Sequence, residues 1–273
     1  MIDIHSHILP ELDDGSSSVS ESLLMLGEMW RQGIKIVAAT PHFEGHRETV
    51  NSFLERRAKS FEALSDALTE DLPQIRLGAE VLYFEGISRM EGLKSLCIEG
   101  TDLLLLEMPV TKWSSYILSE TVNLARSGEF RIVIAHFERC IPAQKRGMLD
   151  YLLENDLLIQ ANASYFLERR TKRRAISLLK KNKIHFLGSD SHNMKERASR
   201  LYAAYNLIGK KLRISPMKCG ALHMICSPPK NGSTYRRTNK RILFWKDVID
   251  EKNICLSCNS YLNAFRMHSH VCG

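Results

Sequence analysis

Cysteine and long apolar runs are both scarce in this 273-residue chain. Only Cys97 and Cys140 precede residue 210, which argues against a disulfide framework for the main body of the protein. No stretch reaches the roughly 18 apolar residues that a membrane-spanning helix requires. The opening residues, Met-Ile-Asp-Ile-His, lack the basic region and apolar run of a secretory signal. We therefore expect a cytoplasmic protein without a membrane span.

An excess of positive charge is also missing from the first 209 residues, although the whole chain has a formal net charge of +7. Residues 210–273 contain 12 Lys and Arg against 3 Asp and Glu, which leaves 26 against 28 for residues 1–209. The basic character therefore belongs to the C-terminal segment. Because tracking along nucleic acid needs an extended basic surface, this composition disfavours a nucleic-acid partner for residues 1–209.

Short apolar, β-branched runs alternate with longer amphipathic segments, a pattern typical of βα units around a parallel sheet. Seven runs are predicted to be strands: 2–4, 34–39, 75–81, 102–106, 131–135, 157–160 and 184–187. A first helix begins at Ser18, which has a capping-box spacing to Glu21, and it closes at Gly33. Further helices are predicted at about 47–70, 112–127, 143–155, 168–182 and 194–208. The sequence thus predicts an α/β fold, a parallel barrel.

The alternation of strands and helices ends near residue 210. The following stretch is polar and basic, and it contains the turn-forming pairs Ser215-Pro216, Pro228-Pro229 and Asn231-Gly232. Only residues 240–250 in it have a helical pattern. Five of the seven cysteines lie in this stretch. We therefore predict a barrel domain at 1–209 and a basic, cysteine-containing C-terminal extension at 210–273.

Candidate metal ligands lie at or just after the carboxyl ends of six of the seven predicted strands, which is where barrel enzymes place their active sites. Only the strand at 157–160 has none. The nine candidates are His5, His7, Asp14, His42, Glu80, Glu107, His136, Asp190 and His192. Each motif alone has another explanation, since alternate residues on a strand also face one way for packing reasons. Their placement at successive strand ends favours one shared metal site.

The donor set contains imidazoles and carboxylates but no thiolate, which suits Mn, Fe or Zn. Nine donors exceed what one ion accepts, so we predict two or three ions, with Glu80 as the preferred bridge. His46, His185 and His223 fit no strand end and are expected to be solvated or packed. Gly15 with the serines at 16–18 is expected to form a turn into the first helix rather than a phosphate cradle.

Several ordered motifs in residues 1–209 resemble a known family. They are the segments 2–10 (IDIHSHILP), 13–15 (DDG), 39–42 (ATPH), 78–80 (GAE), 135–139 (AHFER) and 188–193 (GSDSHN). The family is the polymerase and histidinol phosphatase (PHP) superfamily, in particular its bacterial protein-tyrosine phosphatases of capsule and exopolysaccharide operons. Two departures flank predicted ligands without replacing them: the family usually has proline where Phe137 stands and alanine where Ser191 stands. The basic tail is a third departure.

The resemblance implies a distorted TIM-like (β/α)7 barrel of the PHP type with three divalent ions, usually Mn²⁺. By similarity, His5, His7, Glu80 and Asp190 would hold one ion. Glu80, Glu107 and His136 would hold a second, and Asp14, His42 and His192 a third. The resemblance also implies a phosphotyrosine protein as substrate, a bacterial tyrosine kinase that controls polysaccharide export.

The chemistry predicted from these residues is metal-dependent hydrolysis of a phosphate ester by water, without a protein nucleophile. Arg139 and Arg197 are predicted to neutralise the phosphoryl oxygens, and Arg200 is a competing candidate. His42 is a candidate proton donor where the leaving group needs one. A cysteine phosphatase is disfavoured, because Cys140 and Arg146 have the Cys-x5-Arg spacing without the glycines of a phosphate-binding loop.

Two rival functions stay open at this stage. The first is another phosphoesterase of the same superfamily, acting on histidinol phosphate, a nucleotide or a DNA end. The second is a regulatory protein that acts through its tail, where Arg236, Arg237, Lys240 and Arg241 could meet phosphates or acidic lipid. Tetrahedral zinc could bind there to ligands drawn from Cys255, Cys258, His268, His270 and Cys272. The sequence also leaves a homo-oligomer open.

Overall fold

The computed structural model describes residues 1–212, which form a mixed α/β fold with a curled parallel sheet. The strands are β1 (Ile2–Ser6), β2 (Ile36–Ala39), β3 (His42–Phe43), β4 (Gln74–Leu77), β5 (Glu80–Leu82), β6 (Leu103–Glu107), β7 (Arg131–Ile134), β8 (Leu158–Asn162) and β9 (Phe186–Gly188). The α-helices are α1 (Val19–Arg31), α2 (Val50–Ser65), α3 (Ser115–Arg126), α4 (Met148–Glu154), α5 (Ala163–Leu167), α6 (Lys172–Lys180) and α7 (Leu201–Leu212).

Every strand pair is parallel, in two sheets with the orders β1-β2-β4 and β3-β5-β6-β7-β8-β9. Backbone hydrogen bonds also link the two sheets at the end of β9, where the Asp190 amide donates to the His5 carbonyl at 2.9 Å and the His7 amide donates to the Ser191 carbonyl at 2.8 Å. The result is a curled half-barrel in which the carboxyl ends of β1 and β9 are neighbours.

The structure has two more strands than the seven predicted. The run predicted at 34–39 ends at Ala39 as expected, and an additional short strand, β3, follows at His42 in the other sheet. The run predicted at 75–81 is split into β4 and β5. Pro41, between β2 and β3, has no N–H to donate to a ladder. The change of sheet brings His42 and Glu80 together, as paired residues of β3 and β5.

The two faces of the sheet enter different apolar clusters. On β6, Leu104 and Leu106 belong to the large cluster that also takes in the buried sides of the helices. Leu103 and Leu105 point the other way, into a small cluster built almost wholly from strand residues. A strand buried on both faces reads as a continuous apolar run, which is why Leu103–Leu106 shows no alternation.

The helices follow the predicted order, but several of their boundaries differ from the prediction. Ser18 caps α1 as expected, since its side chain accepts from the Glu21 amide at 3.2 Å, and Gly33 ends it with a φ of +78°. Helix α4 begins at Met148 and α6 only at Lys172, each later than predicted, and α7 spans Leu201–Leu212 where 194–208 was predicted. The short helix α5 was not predicted. None of the helices in residues 1–212 is long and apolar enough to cross a membrane.

The predictions for the tail fall outside the described residues. They concern the extension at 210–273 from residue 213 onward, the basic residues Arg236, Arg237, Lys240 and Arg241, the zinc candidates Cys255, Cys258, His268, His270 and Cys272, and also His223.

Candidate metal centre

The structure brings all nine predicted ligands to one place. Their donor atoms form four overlapping groups in which every atom lies within 4.8 Å of the others. The groups are His7-Asp14-His42-His192, His5-His7-Asp190, His5-Glu80-His136 and His42-Glu80-Glu107. These groups share members, so the site is a continuous cluster of donors rather than several isolated ones.

Glu80 lies at the centre of this cluster and is almost fully buried. Its Oε2 atom is 3.1 Å from His5 Nε2 and 3.2 Å from His7 Nε2, while its Oε1 atom is 2.8 Å from His136 Nε2. The two Nε2 atoms of His5 and His7 are only 3.3 Å apart. The imidazole nitrogens of His5, His7 and His136 thus converge on one carboxylate, an arrangement that could hold a metal ion.

The outer part of the cluster is more open to solvent. Asp14 Oδ1 lies 3.4 Å from both His42 Nε2 and His192 Nε2, and Asp14 is exposed. Glu107 is partly exposed, and its Oε1 atom is 3.4 Å from His136 Nε2. A substrate can therefore approach from the side of Asp14 and Glu107, whereas His5 and Glu80 form the floor.

Two glycines allow the close approach of the strands that carry these ligands. A Cβ atom on Gly188 would lie 2.6 Å from the His5 Cβ and 2.8 Å from Gln160 Nε2. A Cβ on Gly15 would lie 2.3 Å from the His7 carbonyl oxygen. All three distances are too short for non-bonded atoms, so glycine is required at both positions. Gly15 lies between β1 and α1, and its lack of a side chain allows this close contact with His7.

Two of the candidate ligands adopt backbone conformations that L-residues rarely adopt. His136 has a φ of +25° and Asp190 a φ of +52°. Such conformations cost on the order of 1 to 3 kcal/mol and cluster at functional sites. At both positions the strand has just ended, so the unusual φ aims the side chain toward the donor cluster instead of along the sheet.

Asp13 was not among the predicted site residues, but it orients two candidate ligands. Its Oδ2 atom is 2.7 Å from His7 Nδ1 and accepts from the His42 amide at 2.9 Å. The Asp13–His7 contact fixes which ring nitrogen of His7 faces the cluster, because Nδ1 is engaged and Nε2 is left for a cation. The adjacent Asp13-Asp14 pair was the available signal, but sequence alone does not tell which carboxylate turns inward.

Strand β8, which showed no ligand, supplies a second polar layer through Gln160 and Asn162. Gln160 Oε1 accepts from the His136 amide at 2.5 Å and lies 3.4 Å from His5 Nδ1. Gln160 Nε2 donates to Asn162 Oδ1, and Asn162 Nδ2 donates to Asp190 Oδ2, at 2.9 and 2.8 Å. This pair therefore connects three candidate ligands. The signal in sequence was two polar residues at alternate positions of an otherwise apolar strand.

The electrostatics of the cluster favour an ionised Glu80, a protonated His7 and a neutral His192 near neutral pH. Burial opposes ionisation of Glu80, but the charge of His5 and a hydrogen bond from His136 hold its pKa well below the usual range. Burial would likewise lower the pKa of His7, yet hydrogen bonds to Asp13 and Glu80 raise it to about 10. Burial and the nearby His7 lower the pKa of His192 to about 4.

The donor set fits divalent cations. Nδ1 of His136 and Nε2 of His192 are buried without a hydrogen-bond partner in residues 1–212. Buried polar atoms normally have partners, so the free His192 Nε2, facing Asp14 and the open side of the cluster, is consistent with a cation between them. The concentration of acids and imidazoles without thiolate suits Mn, Fe or Zn.

The two predicted arginines both meet Asp190. Arg139 Nη2 donates to Asp190 Oδ2, and Arg197 Nη2 donates to Asp190 Oδ1 at 2.9 Å. Their side chains are 40% and 37% exposed, so each remains accessible from solvent. Arg200 is exposed and forms no ion pair with the donor cluster in the described part of the chain.

The other residues singled out from sequence lie apart from the cluster. Burial raises the pKa of Cys97 and of Cys140 to about 12, so neither thiol is a thiolate near neutral pH. His185 Nδ1 accepts from the Ile159 amide at 2.9 Å, and burial lowers its pKa to about 4. His46 is exposed beside Glu44. The packed or solvated environment expected for His46 and His185 is confirmed.

Comparison with known proteins gives consistent relatives. The family model described as "Capsular polysaccharide synthesis, CpsB/CapC" matches residues 1–219. Tyrosine-protein phosphatase CpsB of Streptococcus agalactiae is 31% identical over 221 residues, covering 76% of this chain and 89% of that protein. Tyrosine-protein phosphatase YwqE of Bacillus subtilis is 30% identical over 208 residues, covering 72% and 79%.

A solved structure agrees with this grouping. It comes from work on YwqE of B. subtilis and CpsB of Streptococcus pneumoniae, described as metal-dependent tyrosine phosphatases, and superposes with a TM-score of 0.69 at 26% identity. The match covers 82% of this chain and 93% of the other. With a family model that matches four fifths of its length, this chain belongs to the CpsB/CapC family of capsular polysaccharide synthesis proteins.

Proposed function

We propose that this protein is a metal-dependent protein-tyrosine phosphatase, a phosphoric monoester hydrolase. The observation that carries the proposal is the convergence of nine nitrogen and oxygen donors at one edge of the curled sheet. Relatives named tyrosine-protein phosphatases give the substrate class. The protonated, buried Cys97 and Cys140 argue against a cysteine nucleophile.

The proposed cofactor is a set of three divalent ions, with Mn²⁺ preferred and Fe or Zn as alternatives. His5, His7, Glu80 and Asp190 would hold one, Glu80, Glu107 and His136 a second, and Asp14, His42 and His192 a third. When bound, such ions polarise a phosphate ester and make water a better nucleophile. Gln160 and Asp13 would orient the ligands from behind.

Arg139 and Arg197 are proposed to bind the phosphoryl group of the substrate. Their guanidinium groups flank Asp190 from two sides, and Asp190 holds both in place. Guanidinium groups form bidentate hydrogen bonds to phosphate oxygens, and fixed cations stabilise the charge that develops on those oxygens. Because both arginines are pinned by one buried carboxylate, they need little reorganisation when substrate binds.

The candidate proton donor to the leaving oxygen is His42 or a water molecule at the cluster. His42 lies at the open side of the cluster and is only partly buried, and it could donate through Nε2 only where that atom is not engaged by a cation. The demand on it is small, because a tyrosine phenolate with a pKa near 10 leaves more readily than a serine alkoxide. This difference favours phosphotyrosine over phosphoserine as substrate.

The remaining parts of the proposal concern architecture and setting. The curled sheet is proposed to be a distorted (β/α)7 barrel, supported by the backbone bonds between β1 and the end of β9. Residues 1–209 would form the catalytic domain and 210–273 an extension. The proposed substrate is a bacterial tyrosine kinase of capsule or exopolysaccharide synthesis, which places the reaction in the cytoplasm, where ATP-dependent kinases act.

The direct test is hydrolysis of p-nitrophenyl phosphate and of a phosphotyrosine peptide, with added Mn²⁺ or with EDTA. We expect turnover of both substrates with Mn²⁺, loss with EDTA, and loss in His136→Ala. His46→Ala is the matched control, because His46 is an exposed histidine outside the cluster, and it should keep full activity. Turnover that survives both EDTA and His136→Ala would refute the proposal. Activity on the small ester alone would keep the metal chemistry and point to another phosphate ester as substrate.

A further inference from the structure

A strongly basic stretch lies within the otherwise acidic body of the protein. Residues 169–183 contain eight Lys and Arg and no Asp or Glu. Since residues 1–209 hold 26 basic and 28 acidic residues, the rest of that region has 18 against 28. The near-neutral total for residues 1–209 therefore conceals one positive surface on a negative background.

Five of these cations lie between the end of α5 and the first turn of α6, and we call them the basic segment: Arg169, Arg170, Lys172, Arg173 and Arg174. The four arginines are exposed. None of the five side chains forms an ion pair or a hydrogen bond within residues 1–212. By contrast, Arg47 and Arg56 pair with Glu44 and Glu48 respectively. No group within residues 1–212 therefore neutralises the basic segment, which leaves its charges available to an anion.

The basic segment lies close to the candidate metal centre. β8 ends at Asn162, whose side chain donates to Asp190, and α5 follows directly. The Thr171 hydroxyl donates to the Tyr165 carbonyl at 2.8 Å, which folds the chain after α5 back against it. A helix of five residues is about 7.5 Å long, so the segment begins roughly 10 to 15 Å from the residues that would bind the phosphoryl group.

We propose that the basic segment binds anionic side chains of the substrate protein on one flank of the phosphotyrosine. The inference rests on the proposed phosphatase function and adds a substrate preference to it. An extended peptide spans about 3.3 Å per residue, so residues three to five positions from a tyrosine held at Arg139 and Arg197 would lie over the basic segment. Carboxylate and phosphate groups are both suitable partners for guanidinium groups.

A peptide is favoured over other polyanions by this location. The chain that carries the phosphotyrosine must leave the site across its rim, so its flanking residues meet the basic segment without a separate docking event. Lys180 and Lys181 at the other end of α6 are exposed as well. Because helices of βα units run antiparallel to their strands, those lysines lie toward the opposite edge of the sheet, away from the donor cluster.

The test compares two phosphotyrosine peptides. On each side of the phosphotyrosine, positions three to five are Glu in one peptide and Gln in the other. The full-length protein is assayed with Mn²⁺ as wild type, as Arg169→Gln with Arg170→Gln, and as Lys180→Gln with Lys181→Gln. The second pair removes the same charge and is the matched control. At low salt, we expect kcat/KM to be about tenfold higher for the Glu peptide than for the Gln peptide in wild type and in the lysine variant. In the arginine variant this ratio should fall to about twofold. Activity on p-nitrophenyl phosphate should be equal in all three proteins.

Binding of the unphosphorylated Glu peptide, followed by fluorescence anisotropy, provides a readout that does not depend on catalysis. The arginine variant should bind several-fold more weakly than the lysine variant, and added salt should remove the difference. Equal binding by the two variants would overturn the inference. Binding to phosphatidylglycerol vesicles and to single-stranded RNA is measured in parallel. If the arginine variant lost affinity for these polyanions but not for the Glu peptide, the inference would also be overturned. Absence of turnover with every peptide would instead refute the proposed phosphatase function. The anisotropy result would still decide whether the basic segment binds anionic peptides.

Discussion

The first halves of the central strands and their carboxyl ends differ sharply in chemistry. On β6, Leu103 and Leu105 enter the small apolar cluster, whereas Glu107 at the end of the same strand belongs to the donor cluster. On β7, Val133 lies in the apolar cluster and His136 follows the strand among the donors. The same strands thus contribute buried apolar side chains at one end and ionisable side chains at the other.

This division separates stability from function along each strand. Burial of leucine and valine side chains stabilises the fold by roughly 1.5 to 3 kcal/mol for each side chain. Burial of charged groups is costly unless each is paired or bound to a metal. The apolar halves fix the position of each strand, so that the costly groups at the carboxyl ends are held in a convergent arrangement. Changes at the two ends should therefore have separable effects.

The largest effect is expected for Glu80→Gln at the centre of the donor cluster. Loss of the shared carboxylate should lower kcat/KM for p-nitrophenyl phosphate by at least about 10³-fold, roughly 4 kcal/mol, and reduce bound Mn²⁺ measured by mass spectrometry. Glu120→Gln is the matched control, since Glu120 is a buried acid that accepts from Tyr83 and Gly86. Loss of bound Mn²⁺ in the control but not in Glu80→Gln would reverse the assignment.

Leu105→Ala should affect the apolar end alone. The residue is fully buried, so we expect a loss of about 2 to 5 kcal/mol in the free energy of unfolding, measured by urea denaturation. Mn²⁺ content per folded molecule should not change. Leu24→Ala, at a residue that is 60% exposed, should change stability by no more than about 0.5 kcal/mol. A Leu105 variant that is stable but free of metal would show that the two ends are not separable.

Gln160→Met tests the layer between the two ends. Methionine has a similar size but cannot accept from the His136 amide or donate to Asn162, so the ligands should lose their fixed orientation. We expect about 10- to 100-fold weaker Mn²⁺ binding, measured by calorimetry. Gln74→Met on the exposed start of β4 is the control and should bind Mn²⁺ normally. Unchanged affinity in Gln160→Met would assign Gln160 a packing role only.

The smallest effect is expected for His185, which supports β8 from outside the site. Burial lowers its pKa to about 4 in the folded protein, compared with about 6.5 for a free histidine. The unfolded chain therefore binds more protons between pH 4 and 6.5, so this contribution is complete above pH 6.5 and is lost as the pH falls. From pH 7 to 5.5, wild type should lose about 1 kcal/mol more stability than His185→Asn. Equal losses would contradict the assignment.

Sequence reasoning placed the ligands at the strand ends but missed the residues behind them. Histidine and acid motifs such as His5-x-His7 are visible because few other roles require them in succession. Asp13 and Gln160 are ordinary polar residues, and their importance comes from contacts with chain segments far away in sequence. The break between β4 and β5 was missed for a related reason, since the Gly78 amide donates to the Ala39 carbonyl and the Glu80 amide to the Pro41 carbonyl, which belong to a distant part of the chain.

The sequence by itself determined the order of strands and helices, the two apolar faces of β6 and the nine donors, because periodicity and residue chemistry are local properties. The tertiary structure decided which carboxylate turns inward at Asp13-Asp14, how Gln160 and Asn162 connect His5, His136 and Asp190, and that the basic segment lies near the site. Such relations depend on the register and curl of a sheet, which bring distant parts of the chain together and cannot be read from one segment alone.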